Sequence, residues 1–129
     1  MILVDTSIWV DHINAADDTL IYLLMQERIV MHPFVMGELA LGSLHAREKV
    51  LKTLAAFPTV PLGTPAETFH LIETEKLYSR GIGYVDTALL VSTRLAPGTT
   101  LWTRDKRLAQ IAMELGIEAN PTTLGPPIH

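Results

Sequence analysis

The sequence predicts an α/β protein, a three-layer α/β/α sandwich around a central, mainly parallel sheet. Three observations carry this expectation. Short apolar runs alternate with amphipathic stretches of helical period from one end of the chain to the other. Such alternation implies strands joined by helical crossovers that cover both faces of the sheet. At 129 residues, 48% of them apolar, the chain is long enough to bury a core without staples, and it has no cysteine to make one.

The elements follow in order. Ile2-Leu3-Val4 reads as a buried strand, and Asp5-Thr6-Ser7 as the capping residues of a short helix over 8–13. Asp17-Asp18-Thr19 opens a second helix with Leu20, Ile21, Leu23 and Leu24 as its apolar residues. Ile29-Val30-Met31 is a second strand. Pro33 suits a first helical turn, and the helix it starts is expected to reach about Leu44. Residues 46–56 form an amphipathic helix with Val50, Leu51 and Leu54 on one face. Thr59 to Leu62, with proline at 61, reads as a brief edge strand.

Thr64-Pro65-Ala66-Glu67 combines a threonine cap, proline in the first turn and glutamate three residues after the cap, a capping box. The helix is expected to run to Arg80 and stop at Gly81. Another spans Tyr84 to just before Pro97-Gly98. Thr99 to Trp102 is a strand, Asp105 to Leu115 a helix capped by Gly116, and Ile117 to Ala119 a last strand. The tail from Pro121 to His129, with three prolines and a glycine, is expected to be extended. Without repeats, low-complexity runs or linkers, residues 1–129 read as one domain.

Composition narrows the function. A formal charge of −4 argues against a protein that coats nucleic acid by bulk positive charge. It is compatible with an enzyme whose acids hold a cation. The opening MILVDTS has neither the basic nor the long apolar region of a signal peptide, and no apolar run approaches the ~20 residues of a membrane span. A cytoplasmic protein that does not enter membranes is expected.

Four acids stand out. In an open parallel sheet, ligands gather beyond the carboxyl ends of the strands. Asp5 directly follows the first strand, and Asp105 lies just after the strand ending at Trp102. Asp86 sits near the start of a helix. Each of the three also has a simpler reading as a cap or first-turn acid. Glu38 has a less simple one. Its helix, Phe34 to Gly42, is apolar on every face and is expected to be buried, with no arginine or lysine nearby to pair the carboxylate. Taken together, four oxygen donors and no soft ligand suit a hard cation such as magnesium. The five histidines are scattered and form no zinc-type pair.

These residues also fall into ordered motifs. Ile2-Leu3-Val4-Asp5-Thr6-Ser7, Glu38-Leu39-Ala40-Leu41-Gly42, Gly83-Tyr84-Val85-Asp86-Thr87-Ala88-Leu89 and Leu101-Trp102-Thr103-Arg104-Asp105-Lys106-Arg107-Leu108 resemble, in sequence order, the four motifs of the PIN-domain nucleases, and within them the VapC-like toxins of toxin–antitoxin pairs. The resemblance covers nearly the whole chain. It implies a PIN-like fold and an endoribonuclease with catalytic acids Asp5, Glu38, Asp86 and Asp105. Asp5, Asp86 and Asp105 are expected to hold Mg2+, with Mn2+ as the alternative, and Glu38 to complete the cage or orient the attacking water. Thr6, Ser7 and Thr103 are expected to orient carboxylates. Arg80, Arg104 and Lys106 are expected to contact RNA phosphates, against the simpler reading of a solvated helix face.

The implied partners are an RNA substrate, a cognate antitoxin and a second copy of the chain. A housekeeping RNA-processing enzyme of the same family and an inactive PIN-like binding module are the alternatives. A dehalogenase-type phosphatase needs a second aspartate where Ser7 stands, and the acid and lysine pattern of a phospho-receiver is absent.

Overall fold

A computed structural model describes residues 1–125, without the side chains of Pro121 and Thr122. Three parallel strands form the sheet in the order β2-β1-β3: β1 (Ile2–Val4) lies between β2 (Ile29–Val30) and β3 (Thr100–Trp102). Ile2, Leu3 and Val4 are all buried, as a continuous apolar run in a central parallel strand should be. The edge strand expected near Thr59 and the last strand near Glu118 are reduced to single parallel bridges, Met31 to Thr59 and Leu101 to Glu118. Pro58 and Pro61 flank the first of these and bring no N–H to a ladder.

Helices α1 (Thr6–Asn14), α2 (Asp18–Met25), α3 (Pro33–Leu41), α4 (Arg47–Ala55), α5 (Pro65–Thr74), α6 (Tyr84–Leu95) and α7 (Lys106–Glu114) connect and cover the strands. The core joins Leu3, Val4, Ile8, Leu20, Leu23, Val35, Leu89, Leu90, Leu101, Leu108 and Ile111. The capping box of α5 forms as expected: Glu67 N–H donates to Thr64 Oγ1 (3.1 Å), and Thr64 N–H donates to Glu67 Oε1 (2.9 Å).

Three expectations need correction. α5 ends at Thr74, not Arg80. Lys76 turns left-handed (φ 52°), and Leu77 N–H donates back to Ile72 O (2.9 Å), so the chain reverses and buries Leu77. α3 ends at Leu41 instead of reaching Leu44, where Gly42 adopts an extended conformation. The tail is not extended from Pro121: Pro121–Leu124 forms a short helix, α8, while residues 126–129 lie outside the described residues.

Candidate active site

Asp5 leaves β1 at the end of the sheet, with its N–H donating to Trp102 O (2.9 Å). It caps α1, and its carboxylate is held on both oxygens. Oδ1 accepts from Thr6 N–H (2.8 Å). Oδ2 accepts from Ser7 Oγ (3.2 Å) and from Thr103 Oγ1 (2.7 Å). The capping and functional readings of Asp5 are therefore compatible: one lone pair of Oδ1 remains unengaged among the described residues.

Thr103, where the chain leaves β3, ties this acid to the next. Its Oγ1 also accepts from Asp105 N–H (3.1 Å). Asp105 caps α7: Oδ1 accepts from the N–H groups of Arg107 (2.9 Å) and Leu108 (3.1 Å). No described group donates to its Oδ2.

Glu38 differs from expectation. α3 is apolar but not enclosed. It buries Val35 and Leu39, while Leu41 is 90% exposed and Phe34 43%. Glu38 lies on the exposed side, so the argument from a stranded buried charge does not apply to it. It is instead joined to the first motif: Thr6 Oγ1 donates to Glu38 Oε1 (2.7 Å). Thr6, Ser7 and Thr103 thus each donate to a carboxylate.

Asp86, in the first turn of α6, completes the group. Its carboxyl is pushed above the usual aspartate range, first by burial and then by the negative charge of Asp5, with smaller contributions from Asp105 and Glu38; the Gly83 backbone opposes the shift. Four acids from four separate elements therefore share one field, and no cation acts on Asp86 in return. Among the described residues, no three acid or imidazole groups stand in position to hold an ion directly. The carboxylates act on one another through charge without closing on a shared ion position. That suits a small hard cation which keeps several waters and meets only a few carboxylates, and the donors are all oxygen. The residues present fit such an ion.

The raised acid gives a stability test. A carboxyl with a raised folded-state pKa stabilises below its ordinary value of 3.8, and that contribution is lost as pH rises through the folded-state value. Asp86→Asn removes the loss. In EDTA at neutral pH the variant should be as stable as the parent or more so, by about 1 kcal/mol or less given partial exposure. The gain should vanish below pH 3.8. Thermal unfolding of both proteins at the two pH values checks this. A variant that melts well below the parent at both would make Asp86 a structural hydrogen-bonding group.

The candidate RNA contacts are placed differently from the acids. Arg80 grips Glu114 through both its Nη atoms (2.7 Å each) and, with Gln110, holds that carboxyl down to about 2. Arg104 bonds Asp11 Oδ2 (2.6 Å) and Asp17 Oδ2 (2.5 Å). Arg107 lies across Gly81, whose φ of +82° and lack of a Cβ leave room for the guanidinium. Lys106 is exposed at the start of α7. Both arginine clasps join residues tens of positions apart, and nothing in the sequence signalled them. Wider hollows, each about 570 Å³, lie away from the acids, between α5 and α6 and beside Phe57. The four acids line neither hollow. Among the described residues no helix is long and apolar enough to cross a membrane.

Comparison with known proteins agrees with this arrangement. Residues 2–114 match the PIN domain family. The chain is similar to Ribonuclease VapC32 of Mycobacterium tuberculosis strain CDC 1551 / Oshkosh and to that of strain ATCC 25618 / H37Rv. It is 46% identical to each over 117 residues, which cover 91% of this chain and 94% of the relative. With a family match over residues 2–114 and near-full-length similarity to these relatives, this chain belongs to the PIN-domain family and, within it, to the VapC group.

Proposed function

We propose that this chain is a magnesium-dependent endoribonuclease, the toxin of a toxin–antitoxin pair, with Asp5, Glu38, Asp86 and Asp105 as its catalytic acids. The observation that supports the reading is the hydrogen-bonded run Glu38–Thr6–Asp5–Thr103–Asp105, which ties three of the acids together; the raised carboxyl of Asp86 agrees with it. A bound Mg2+ or Mn2+ supplies polarisation of the scissile phosphate and a water acidic enough to attack in line.

The chain's own residues do the positioning. Ser7 and Thr103 occupy Asp5 Oδ2, and Oδ1, which accepts only the Thr6 N–H among the described groups, keeps a lone pair for a ligand. The α7 N–H groups occupy Asp105 Oδ1, which leaves Oδ2. Asp5, Asp86 and Asp105 would hold the ion, directly or through its waters, and Glu38, steadied by Thr6, would orient the attacking water. Lys106 is placed to meet an RNA phosphate. RNA incubated with the purified chain should be cleaved in magnesium and left whole in EDTA. Binding without cleavage in either condition would favour the inactive binding module.

The same acidic edge suits inhibition by a cognate antitoxin. An arginine from such a partner would bond two carboxylates at once where the cation belongs.

We also propose a homodimer. Helix α4 exposes mainly charged residues, Arg47, Glu48, Lys49 and Lys52, whereas α5 and α6 expose apolar ones. There Phe69 (59% exposed), Leu95 (39%) and Tyr84 (47%) leave apolar surface in water. Light scattering at micromolar concentration should give twice the chain mass, and Phe69→Asp should halve it. A monomeric parent would contradict the proposal.

A further inference from the structure

We propose that Arg104 is a positioning residue for the acidic site, pinning the Thr103–Asp105 loop to the turn between α1 and α2, and that it does not act as an RNA contact. The proposal rests on the metal-site reading above.

The sheet fixes the chain only as far as Trp102, which pairs with Val4. The next three residues leave the sheet and carry two groups of the site, Thr103 and Asp105. Arg104 stands between them. Its guanidinium turns to two carboxylates outside the four acids, Asp11 on α1 and Asp17 at the head of α2. The anchor is itself fixed: Asp17 Oδ1 caps α2 by accepting from Leu20 N–H (2.9 Å), and Asp17 N–H donates to His12 Nδ1 (3.0 Å). The Arg104 backbone N–H reaches Ser7 Oγ (3.4 Å), the hydroxyl that donates to Asp5. The guanidinium also lies 6.0 Å from the Trp102 ring centroid. The planar fork of arginine spans two carboxylates at once, which an ammonium group does less well. Repulsion among the four acids tends to push the Asp105 loop outward, and this clasp opposes it without neutralising the site.

Mg2+ binding to the metal-free chain, measured by calorimetry, tests the proposal, together with binding of a short RNA in EDTA across salt concentrations. Arg104→Met removes a positive charge close to a cation site, so electrostatics alone would tighten Mg2+ binding. Loss of positioning should instead weaken it about tenfold. Asp11→Asn/Asp17→Asn should weaken it comparably, Arg104→Lys should fall between, and RNA binding by Arg104→Met should match the parent. If Arg104→Met does not fold, Arg104→Lys, which keeps the charge and loses the planar fork, carries the test.

An RNA contact predicts the reverse: Arg104→Met loses RNA affinity with a shallower salt dependence. On that reading, Asp11→Asn/Asp17→Asn frees the guanidinium and binds RNA more tightly, with Mg2+ affinity unchanged. Either result overturns the proposal. Asp5→Asn serves as the control. If it binds Mg2+ as the parent does, the metal-site reading fails, and that failure is distinguishable from failure of the clasp alone.

Discussion

Asp5→Asn should lower RNA cleavage by a factor on the order of 10³ or more, the scale of loss when one member of a cooperating catalytic group is removed. Asp5 is 7% exposed, and every described hydrogen bond to its side chain is donated to it: by the Thr6 backbone, the Ser7 hydroxyl and the Thr103 hydroxyl. An amide keeps only one oxygen. If that oxygen serves Ser7 and Thr103, the NH2 group faces the Thr6 N–H and the cation space, where it repels both. The expected cost to folding is only about 1–2 kcal/mol, so a folded and inactive protein is predicted. Thr103→Ala should give a milder loss and Thr103→Ser should restore activity, because only the hydroxyl touches Asp5. Comparison of initial cleavage rates at saturating magnesium checks both. An Asp5→Asn protein that cleaves like the parent would remove Asp5 from the site.

Acid should destabilise the fold through His32. This side chain is 1% exposed and caps α3, with Nδ1 accepting from Phe34 N–H (2.9 Å). Burial pushes its pKa down from 6.5 to about 4. The unfolded chain therefore takes up the proton first, and stability falls as pH drops from 6.5 toward 4. The loss from this residue reaches about 3 kcal/mol by pH 4, a shift of 2.5 units less the half-titration at the end point. Protonation also turns the capping acceptor into a donor aimed at another donor. His32→Asn keeps a cap acceptor and cannot titrate. It should start less stable at pH 7, because packing is lost, yet show a slope against pH that is shallower by about 3 kcal/mol over the same range. The raised Asp86 carboxyl contributes with the opposite sign in both proteins, so the difference between them isolates His32. Equal slopes in chemical unfolding would contradict this account.

These two residues show what the sequence could and could not disclose. Asp5 was legible because it follows a three-residue apolar strand and precedes two hydroxyl residues, a local pattern. The α5 start was legible for the same reason, since threonine, proline and glutamate stand within four positions. Its end was not. Glycine usually marks a left-handed helix stop, and Gly116 did so for α7, but Lys76 and Glu27 adopt the same conformation without that signal. Glu38 stands out in the sequence because its helix is apolar, but apolar does not mean buried here, since a short chain leaves one side of α3 uncovered. His32 was passed over because histidine is not a customary cap residue and its burial depends on tertiary packing. The clasps of Arg80 and Arg104 depend on contacts 34 and 87 or more positions away, which no local pattern encodes.

The central proposal is that four carboxylates from four elements serve a divalent-cation site. Anomalous diffraction from crystals of the chain grown with Mn2+ tests it most directly, because it locates the ion without relying on activity. The account predicts a peak enclosed by Asp5, Asp86 and Asp105, with Glu38 on its border, and loss of that peak in Asp5→Asn. A saturating Mn2+ concentration that leaves this space without a peak, or a peak unaltered by Asp5→Asn, would contradict it.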